Sequence, residues 1–435
     1  MNLTSNPVQE IFGDVICPGD KSISQRILII GSLLNCDINV SGFLNAKDPL
    51  STMAALNQIG ASINKDGDLV KIKKRSRPFN SPESSIYLGN SGTGIRLMTG
   101  LISGLNLKAT LIGDESLSQR PMSRVVNPLV KMGKKISTND GKTPIKIKGG
   151  SINDNFEYQM PIASAQVKSS LILASLSSGN SIRIEEPKIT RDHTEKMIEY
   201  CGGKIDVQNS LEGKIITLNK SDLSEISSYE VVGDFSSAAF IIIAALISKK
   251  SKVLIKNVGL NTTRKGLLEV LLGMNANIKI VNQRKTCNET CGDLIVESSN
   301  LEGIEVSDSI IPNIIDEIPI LSVAASFAEG ETVIKNASEL KVKESDRLKA
   351  ISDGLEAMNI KHDMLEDGLI ICGQNNNVSV SKEIDSFGDH RIAMSFLVAG
   401  MRSKEGIIVK NCKNIETSFP NFLNTMNALG MKIHG

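Results

Sequence analysis

The sequence lacks tryptophan and has few other aromatic residues, since 11 Phe and 4 Tyr make up only 3% of the 435 residues. It also lacks surplus charge, because 49 Lys and Arg balance 48 Asp and Glu to a net charge of +1. Nucleic-acid binding depends largely on surplus cations that neutralise phosphates, and single strands also need aromatic rings for stacking. These absences argue against nucleic acid as a partner.

Long apolar segments are also missing. The longest apolar run, Phe235 to Ile247, is well short of the roughly 20 residues that a membrane span needs. The N-terminal residues have neither the basic start nor the apolar core of a secretion signal. We therefore expect a cytoplasmic protein with no membrane partner.

The seven cysteines are scattered along the chain and odd in number, unlike a disulfide framework. Cys287 and Cys291 form an isolated CxxxC pair with no second ligand pair nearby. A structural metal usually needs four such ligands. We expect free thiols and no metal site.

What the chain does contain is one short pattern repeated six times: an apolar residue, two others, an apolar residue, Gly or Asn, and usually Ile three residues later. The pattern is typical of a helix that ends at a left-handed residue and is followed by a strand. Six such α/β units in two groups of three favour two domains, with the break near residues 231–234. The Gly or Asn positions, about 70 residues apart, are Gly60, Gly133, Gly202, Asn275, Asn359 and Gly430. Strands of about three to six residues are predicted to include residues 70–72, 145–147, 182–184, 253–255 and 407–409.

Four apolar helices are predicted to begin at polar or glycine-rich segments: residues 19–26, 89–96, 163–166 and 389–391. Free N–H groups and the helix dipole make such ends suitable for anions. Only 13 of the 49 basic residues are Arg. Arg forms bidentate pairs with carboxylate and phosphate, so a small, multiply anionic ligand is predicted. Five Arg residues lie in these or similar polar segments: Arg26, Arg120, Arg191, Arg347 and Arg391.

Two acidic positions precede predicted helices. Asp316 and Glu317 come before an apolar helix, and residues 343–347, Lys-Glu-Ser-Asp-Arg, come before an amphipathic helix that ends at Met358. The residues alone allow two interpretations. These side chains are either helix caps and solvated charges, or carboxylates placed among cations for general acid–base work.

Eight motifs, taken in order, closely resemble the 5-enolpyruvylshikimate-3-phosphate synthase family, also called 3-phosphoshikimate 1-carboxyvinyltransferases. The sequences at 164–166 and 190–196 resemble its second class, known for glyphosate-tolerant members. The motifs are Gly19 to Arg26, Gly89 to Thr93, Gln119 to Met122, Ser164 to Gln166, Thr190 to Lys196, Ile315 to Glu317, Val342 to Leu348 and Asp389 to Met394.

The resemblance implies an α/β fold, the enolpyruvyl transferase fold, with two similar domains of three repeated units each around a pseudo-threefold axis. Residues 20–233 would form one domain, and residues 1–19 with 234–435 the other, with ligands in the cleft between them. The implied reaction transfers the enolpyruvyl group of phosphoenolpyruvate to the 5-hydroxyl of shikimate 3-phosphate and releases phosphate. It implies no redox or metal cofactor.

The resemblance also implies residue roles. Asp316 would be the general base for the 5-hydroxyl and Glu344 the acid that protonates the methylene carbon, with Lys21 as a third catalytic residue. Shikimate 3-phosphate would be held by Lys21, Ser22, Arg26, Ser164, Gln166, Arg191, Asp316 and Lys343. Phosphoenolpyruvate would be held by Lys21, Asn90, Gly92, Arg120, Gln166, Arg347 and Arg391, with Thr93 shaping the loop.

The sequence departs from the family pattern at three positions. Thr417 stands where many members have a Lys that contacts phosphoenolpyruvate, so that contact is not expected here. Ala165 replaces a Ser and removes one hydroxyl. Gly92 stands where some tolerant members carry Ala, whose methyl crowds glyphosate, so we expect appreciable glyphosate sensitivity.

Three other functions remain open on the sequence. The related enolpyruvyl transferase that acts on UDP-N-acetylglucosamine normally has a reactive loop Cys, and no Cys lies in a corresponding Arg-rich loop. A sugar or shikimate kinase would need ATP, although GxxxxGK[ST] is absent. A non-catalytic anion-binding protein would have no use for both Asp316 and Glu344. A monomer is expected.

Overall fold

The computed structural model describes all residues, Met1 to Gly435. The chain divides into two compact units. The first unit comprises Gly19–Val231 with Thr286–Glu289. The second comprises Met1–Pro18, Val232–Lys285 and Thr290–Gly435.

The first unit contains three four-stranded sheets of the same design. In each, the first two strands are parallel and the remaining pairs antiparallel. The sheets, in strand order, are Ser228–Glu230, Ile38–Ser41, Leu69–Lys73 and Ser62–Asp66; Ile86–Tyr87, Ala109–Ile112, Lys142–Ile147 and Ile136–Asn139; and Phe156–Gln159, Ile182–Glu186, Lys214–Leu218 and Ile205–Asn209. The helices are Lys21–Leu33, Lys47–Gln58, Gly92–Gly104, Glu115–Gln119, Ser123–Lys131, Ala165–Ser178 and His193–Tyr200.

The second unit has two four-stranded sheets and one three-stranded sheet. In strand order they are Ile384–Asp385, Ile407–Lys410, Leu3–Asn6 and Lys432–His434; Asn277–Thr286, Glu289–Glu297, Lys250–Gly259 and Glu10–Ile16; and Gly330–Ile334, Leu369–Gly373 and His362–Met364. The α-helices are Phe235–Ile247, Gly266–Gly273, Ile311–Ile314, Ile318–Ser326, Arg347–Ala357, His390–Ala399 and Phe422–Ala428. Short 3-10 helices are Ser338–Val342, Gly400–Arg402 and Cys412–Thr417.

The sixfold repeat has the predicted physical basis. Every repeat residue named above, four Gly and two Asn, has a positive φ between 54° and 109°. Each follows the end of a helix and precedes a strand of one of the six sheets. The helix–turn–strand prediction is therefore confirmed at all six copies.

Strand positions were predicted better than strand lengths. All five predicted segments lie in strands, but Lys250–Gly259 and Asn277–Thr286 each have ten residues, so the predicted limit of six was wrong. The Asn277–Thr286 strand is polar and largely solvent-facing, and a search for short apolar runs does not detect such a strand.

The cores of the units combine apolar helices with the buried residues of the strands. Phe235–Ile247 is buried along its whole length, which explains the longest apolar run. No helix is long and apolar enough to cross a membrane. All seven cysteines are free thiols.

Candidate active site

The four predicted polar helix starts are confirmed as N-termini. Asp20, Ser91, Ser164 and Asp389 are the N-cap residues, and each accepts a hydrogen bond from a main-chain N–H of the first turn. A capping side chain satisfies one free N–H and leaves the others available.

Two of these starts lie side by side in the first unit because two helices pack closely at glycine residues. A Cβ added at Gly100 would lie 2.1 Å from the Ser170 carbonyl oxygen, and one at Gly104 would lie 2.3 Å from the Ala174 carbonyl oxygen. Only glycine permits this approach between Gly92–Gly104 and Ala165–Ser178. The consequence is that Thr93 and Gln166, at the two starts, are hydrogen-bonded at 2.9 Å.

Around these starts the structure gathers four of the predicted phosphoenolpyruvate residues: Asn90, Gly92, Arg120 and Gln166. Arg120 Nη2 donates to Asn90 Oδ1 at 2.5 Å, and the amide of Asn90 donates in turn to Asp114 at 2.8 Å. A Cβ on Gly92 would lie 2.9 Å from Arg120 Nη1 and 3.0 Å from Arg96 Nη1. Gly92 therefore leaves room for two guanidinium groups.

Arg96 was not predicted as a site residue, although it ends the quoted segment 89–96. Its Nη1 donates to Gln166 Oε1 at 2.8 Å and to the Gly92 carbonyl at 3.1 Å. The sequence carried one usable signal: Arg96 lies one helical turn after Gly92 and so is on the same face.

The first helix of the unit, Lys21–Leu33, carries three predicted ligands of shikimate 3-phosphate. Lys21 Nζ pairs with Asp48 at 3.3 Å. Arg26 is buried and donates to the Ser22 carbonyl at 3.0 Å and to Thr194 Oγ1 at 2.7 Å. Burial lowers the pKa of Arg26 to about 10, which still leaves it a cation at neutral pH.

In the second unit, a group of predicted residues surrounds one buried guanidinium. Arg347 donates to Glu344 at 2.6 Å, to Asp316 at 3.2 Å and to Asp389 at 2.8 Å. The three carboxylates outweigh the effect of burial and raise the pKa of Arg347. Both predicted proton-transfer carboxylates therefore share one cation.

Two further cations lie near Asp316. Lys343 Nζ is 4.0 Å from Asp316 Oδ1, and Arg391 Nη2 is 3.9 Å from Oδ2. Loss of contact with water lowers the pKa of Lys343; the Asp316 carboxylate opposes that effect and Arg347 adds to it. Surrounding cations favour an ionised carboxylate, the form that accepts a proton.

The alternative interpretation as helix caps can now be judged residue by residue. Asp346 caps helix Arg347–Ala357 by accepting from the Lys349 N–H at 3.1 Å. Asp316 is not a cap, because Glu317 occupies that position before Ile318–Ser326 and makes no capping bond. The cap interpretation therefore holds for Asp346 and is wrong for Asp316.

Two buried residues next to this group were not among the predicted substrate ligands or catalytic residues, although the sequence had marked Glu317 as an acidic position. Glu317 accepts from Ser236 Oγ and lies 3.6 Å from Arg391 and 3.7 Å from Arg264. Arg264 comes from a loop some 50 residues earlier in the chain. Its sequence has no glycine-rich or capping signal, so only the fold reveals the contact.

Of the three departures from the family pattern, Thr417 is the most informative. It ends the 3-10 helix Cys412–Thr417, is buried, and its hydroxyl donates to the Asn414 carbonyl at 2.7 Å. Lys413 is exposed on the same short helix. Thr417 thus has a local structural contact where many members present a cation.

Known proteins similar to this chain belong to the family that its motifs resemble. The family described as EPSP synthase (3-phosphoshikimate 1-carboxyvinyltransferase) matches residues 5–426. The 3-phosphoshikimate 1-carboxyvinyltransferase of Ruthia magnifica subsp. Calyptogena magnifica is 42% identical over 432 residues, 98% of each chain. The protein of the same name from Petrotoga mobilis is 43% identical over 426 residues, 97% of this chain and 98% of that one.

Solved structures agree. EPSP synthase from Acinetobacter baumannii superposes with a TM-score of 0.87 at 37% identity, with both chains fully covered. The enolpyruvyl transferase NikO from Streptomyces tendae has a TM-score of 0.78 at 13% identity, covering 100% of this chain and 98% of that one, and shows the shared fold alone. The predicted α/β enolpyruvyl transferase fold and the family resemblance are confirmed, and the chain belongs to the EPSP synthase (3-phosphoshikimate 1-carboxyvinyltransferase) family.

Proposed function

We propose that this protein transfers the enolpyruvyl group of phosphoenolpyruvate to the 5-hydroxyl of shikimate 3-phosphate and releases phosphate. The observation that carries the proposal is the group formed by Arg347 with Asp316 and Glu344. Two carboxylates on one guanidinium, beside Lys343 and Arg391, suit a reaction between two anionic substrates that needs two proton transfers.

In the addition step, Asp316 accepts the proton of the 5-hydroxyl. The hydroxyl oxygen of shikimate 3-phosphate bonds at the same time to C2 of phosphoenolpyruvate. Glu344 donates a proton to the methylene carbon, giving a tetrahedral intermediate. In the elimination step, the C2–phosphate bond breaks, the methyl group returns a proton to Glu344, and phosphate leaves with the proton held by Asp316. The protons and bonds balance over the two steps.

Substrate binding prepares Glu344 for its role. In the free protein its carboxylate is 2.6 Å from Arg347, an arrangement that favours the ionised form. The anionic groups of phosphoenolpyruvate compete for the same guanidinium. That competition favours protonation of Glu344 before the transfer.

The other residues serve binding. Shikimate 3-phosphate is held by Asp316 together with Lys21, Ser22, Arg26, Ser164, Gln166, Arg191 and Lys343. Lys21 also acts in catalysis. Phosphoenolpyruvate is held by Lys21, Asn90, Gly92, Arg120, Gln166, Arg347 and Arg391. Clustered cations would thus neutralise two polyanions.

The test is phosphate release from phosphoenolpyruvate with shikimate 3-phosphate, without ATP or added metal. The same assay with UDP-N-acetylglucosamine examines the nearest alternative, which the family match does not favour. Release only with shikimate 3-phosphate is expected. Absence of release with that substrate contradicts the proposal, and formation of ADP when ATP replaces phosphoenolpyruvate indicates a kinase.

We further propose a cytoplasmic monomer that belongs to the second class of the family. The class assignment rests on the sequences at 164–166 and 190–196. Light scattering in solution checks the oligomeric state, with a mass near 46.9 kDa expected.

A further inference from the structure

The loop that carries Arg191 lies between two buried glutamates. Strand Ile182–Glu186 ends at Glu186, whose side chain is fully buried, and helix His193–Tyr200 contains Glu195, 4% exposed, in its first turn. A buried carboxylate is costly unless a cation or several hydrogen bonds compensate it.

One lysine compensates both carboxylates. Lys168 Nζ lies 3.0 Å from Glu186 and 2.7 Å from Glu195, and its own side chain is 1% exposed. Lys168 belongs to helix Ala165–Ser178, just after Gln166. The ion pairs therefore join both ends of the Arg191 loop to the helix whose start carries Ser164 and Gln166.

Glu186 also holds the residue immediately before Arg191. Thr190 donates to it twice, from Oγ1 at 2.6 Å and from its main-chain N–H at 3.4 Å. The path from Lys168 to the Arg191 main chain thus passes through one carboxylate and one hydroxyl.

The other glutamate lies beside the contacts of Arg26. Thr194, the residue before Glu195, accepts from Arg26 Nε at 2.7 Å and is hydrogen-bonded to Ser169 at 2.7 Å. Ser169 in turn accepts from Arg26 Nη2 at 2.9 Å and directly follows Lys168. The same helix turn therefore sets the position of a second cation.

We propose that Lys168, Glu186, Glu195 and Thr190 are positioning residues for shikimate 3-phosphate. They hold the main chain next to Arg191 in place before the substrate arrives, together with the two helix turns whose Ser169 and Thr194 accept from Arg26. The inference rests on the proposed function. A preorganised loop avoids the entropy cost of ordering a long cationic side chain on binding. Buried ion pairs add little net stability compared with apolar residues of similar size, so positioning explains this group better than stability does.

Thr190→Val is the sharpest test, since it removes the hydroxyl donor but leaves Lys168 and both glutamates paired. We expect the Kd for shikimate 3-phosphate, measured by calorimetry, to rise roughly tenfold, the scale of a lost hydrogen bond to a charged acceptor. The kcat and the KM for phosphoenolpyruvate should stay near wild type, and the urea unfolding midpoint should fall only modestly, because Glu186 keeps Lys168 as a partner. Thr190→Ser should restore affinity, and Thr217→Val, on the adjacent strand Lys214–Leu218, is the matched control.

A second variant tests the ion group itself. The combined change Lys168→Met, Glu186→Gln and Glu195→Gln removes all its charge at nearly constant volume. It should bind shikimate 3-phosphate at least tenfold more weakly while the KM for phosphoenolpyruvate changes little.

Two results overturn the inference: wild-type affinity for shikimate 3-phosphate in Thr190→Val, or a parallel loss of kcat, both KM values and unfolding midpoint. Wild-type phosphate release judges the proposed function separately. Release by the wild type with unchanged binding by Thr190→Val rejects only the inference. Weakened binding by that variant, without release by the wild type, rejects only the reaction.

Discussion

Arg391 donates from Nη1 to the main-chain carbonyl of Asp316 at 2.9 Å, while its Nη2 lies 3.9 Å from the Asp316 carboxylate. The proposed general base and a proposed phosphoenolpyruvate ligand are thus linked mainly through the backbone of Asp316. A change in the side chain of Asp316 leaves that hydrogen bond intact.

We therefore predict that Asp316→Asn separates catalysis from phosphoenolpyruvate binding. Loss of the proton acceptor should lower kcat about 10²- to 10⁴-fold. The KM for phosphoenolpyruvate should change little, because Arg391 keeps its main-chain partner. Steady-state kinetics with each substrate varied in turn measures both values, and near wild-type turnover would remove Asp316 from the catalytic role.

Glu344→Gln provides the companion measurement. Loss of Glu344 as the proton donor should also lower kcat about 10²- to 10⁴-fold. Arg347 keeps Asp389 and Asp316 as partners in this variant. Turnover close to wild type in this variant would assign the methylene proton to another group.

The glycine at the start of helix Gly92–Gly104 leads to a prediction about inhibition. We expect glyphosate to inhibit this protein, and Gly92→Ala to raise the inhibitory concentration about tenfold or more, the scale of one added methyl in a tight site. The new Cβ would be about 3 Å from Arg120 and Arg96, so both guanidinium groups must shift by a few tenths of an ångström. Inhibition of the wild type no stronger than that of the variant would contradict this expectation.

Because of Lys343, we predict that the KM for shikimate 3-phosphate depends on pH in the alkaline range. Its pKa in the folded protein lies below the ordinary value of 10.5, so its positive charge is lost as pH rises through a range below 10.5. The KM for shikimate 3-phosphate should increase over that range and be constant at lower pH. In Lys343→Arg the guanidinium stays charged, and the rise should disappear; an identical pH profile in both proteins would exclude Lys343 as its source.

Asn275 tests the physical basis of the repeat. It has φ of 69° at a helix end. Most residues cost about 1 kcal/mol in this left-handed conformation, whereas Gly, which has no Cβ, and Asn, with its short polar side chain, cost less. Asn275→Ala should lower the free energy of unfolding by about 1 kcal/mol, and Asn275→Gly should be neutral or slightly stabilising. Equal stability of the Ala and Gly variants would count against the left-handed helix end as the source of the pattern.

The sequence predicted local structure well because its signals are local. A left-handed helix end needs Gly or Asn at one position, and a capped helix start needs Asp or Ser, so Asn275 and Ser164 could be identified from their neighbours alone. The same holds for Asp346, whose capping bond spans three residues.

Contacts between distant residues could not be predicted in that way. Lys168 meets Glu186 and Glu195, and Arg264 meets Glu317, only after helices and strands pack. Family resemblance supplied candidate ligands, but it did not supply the buried groups that hold those ligands. Arg96 is intermediate, because helical spacing from Gly92 was available as a signal.

The close approach of helices Gly92–Gly104 and Ala165–Ser178 has a consequence for how this protein can change. At Gly100 and Gly104, the main chain of one helix contacts the main chain and serine side chains of the other. The spacing of the two helix starts is therefore set mainly by backbone contact. Substitutions at Asn90, Gly92 or Gln166 can then alter which anion is preferred without altering that spacing. Substitutions at Gly100 or Gly104 would change the geometry at both helix starts at once.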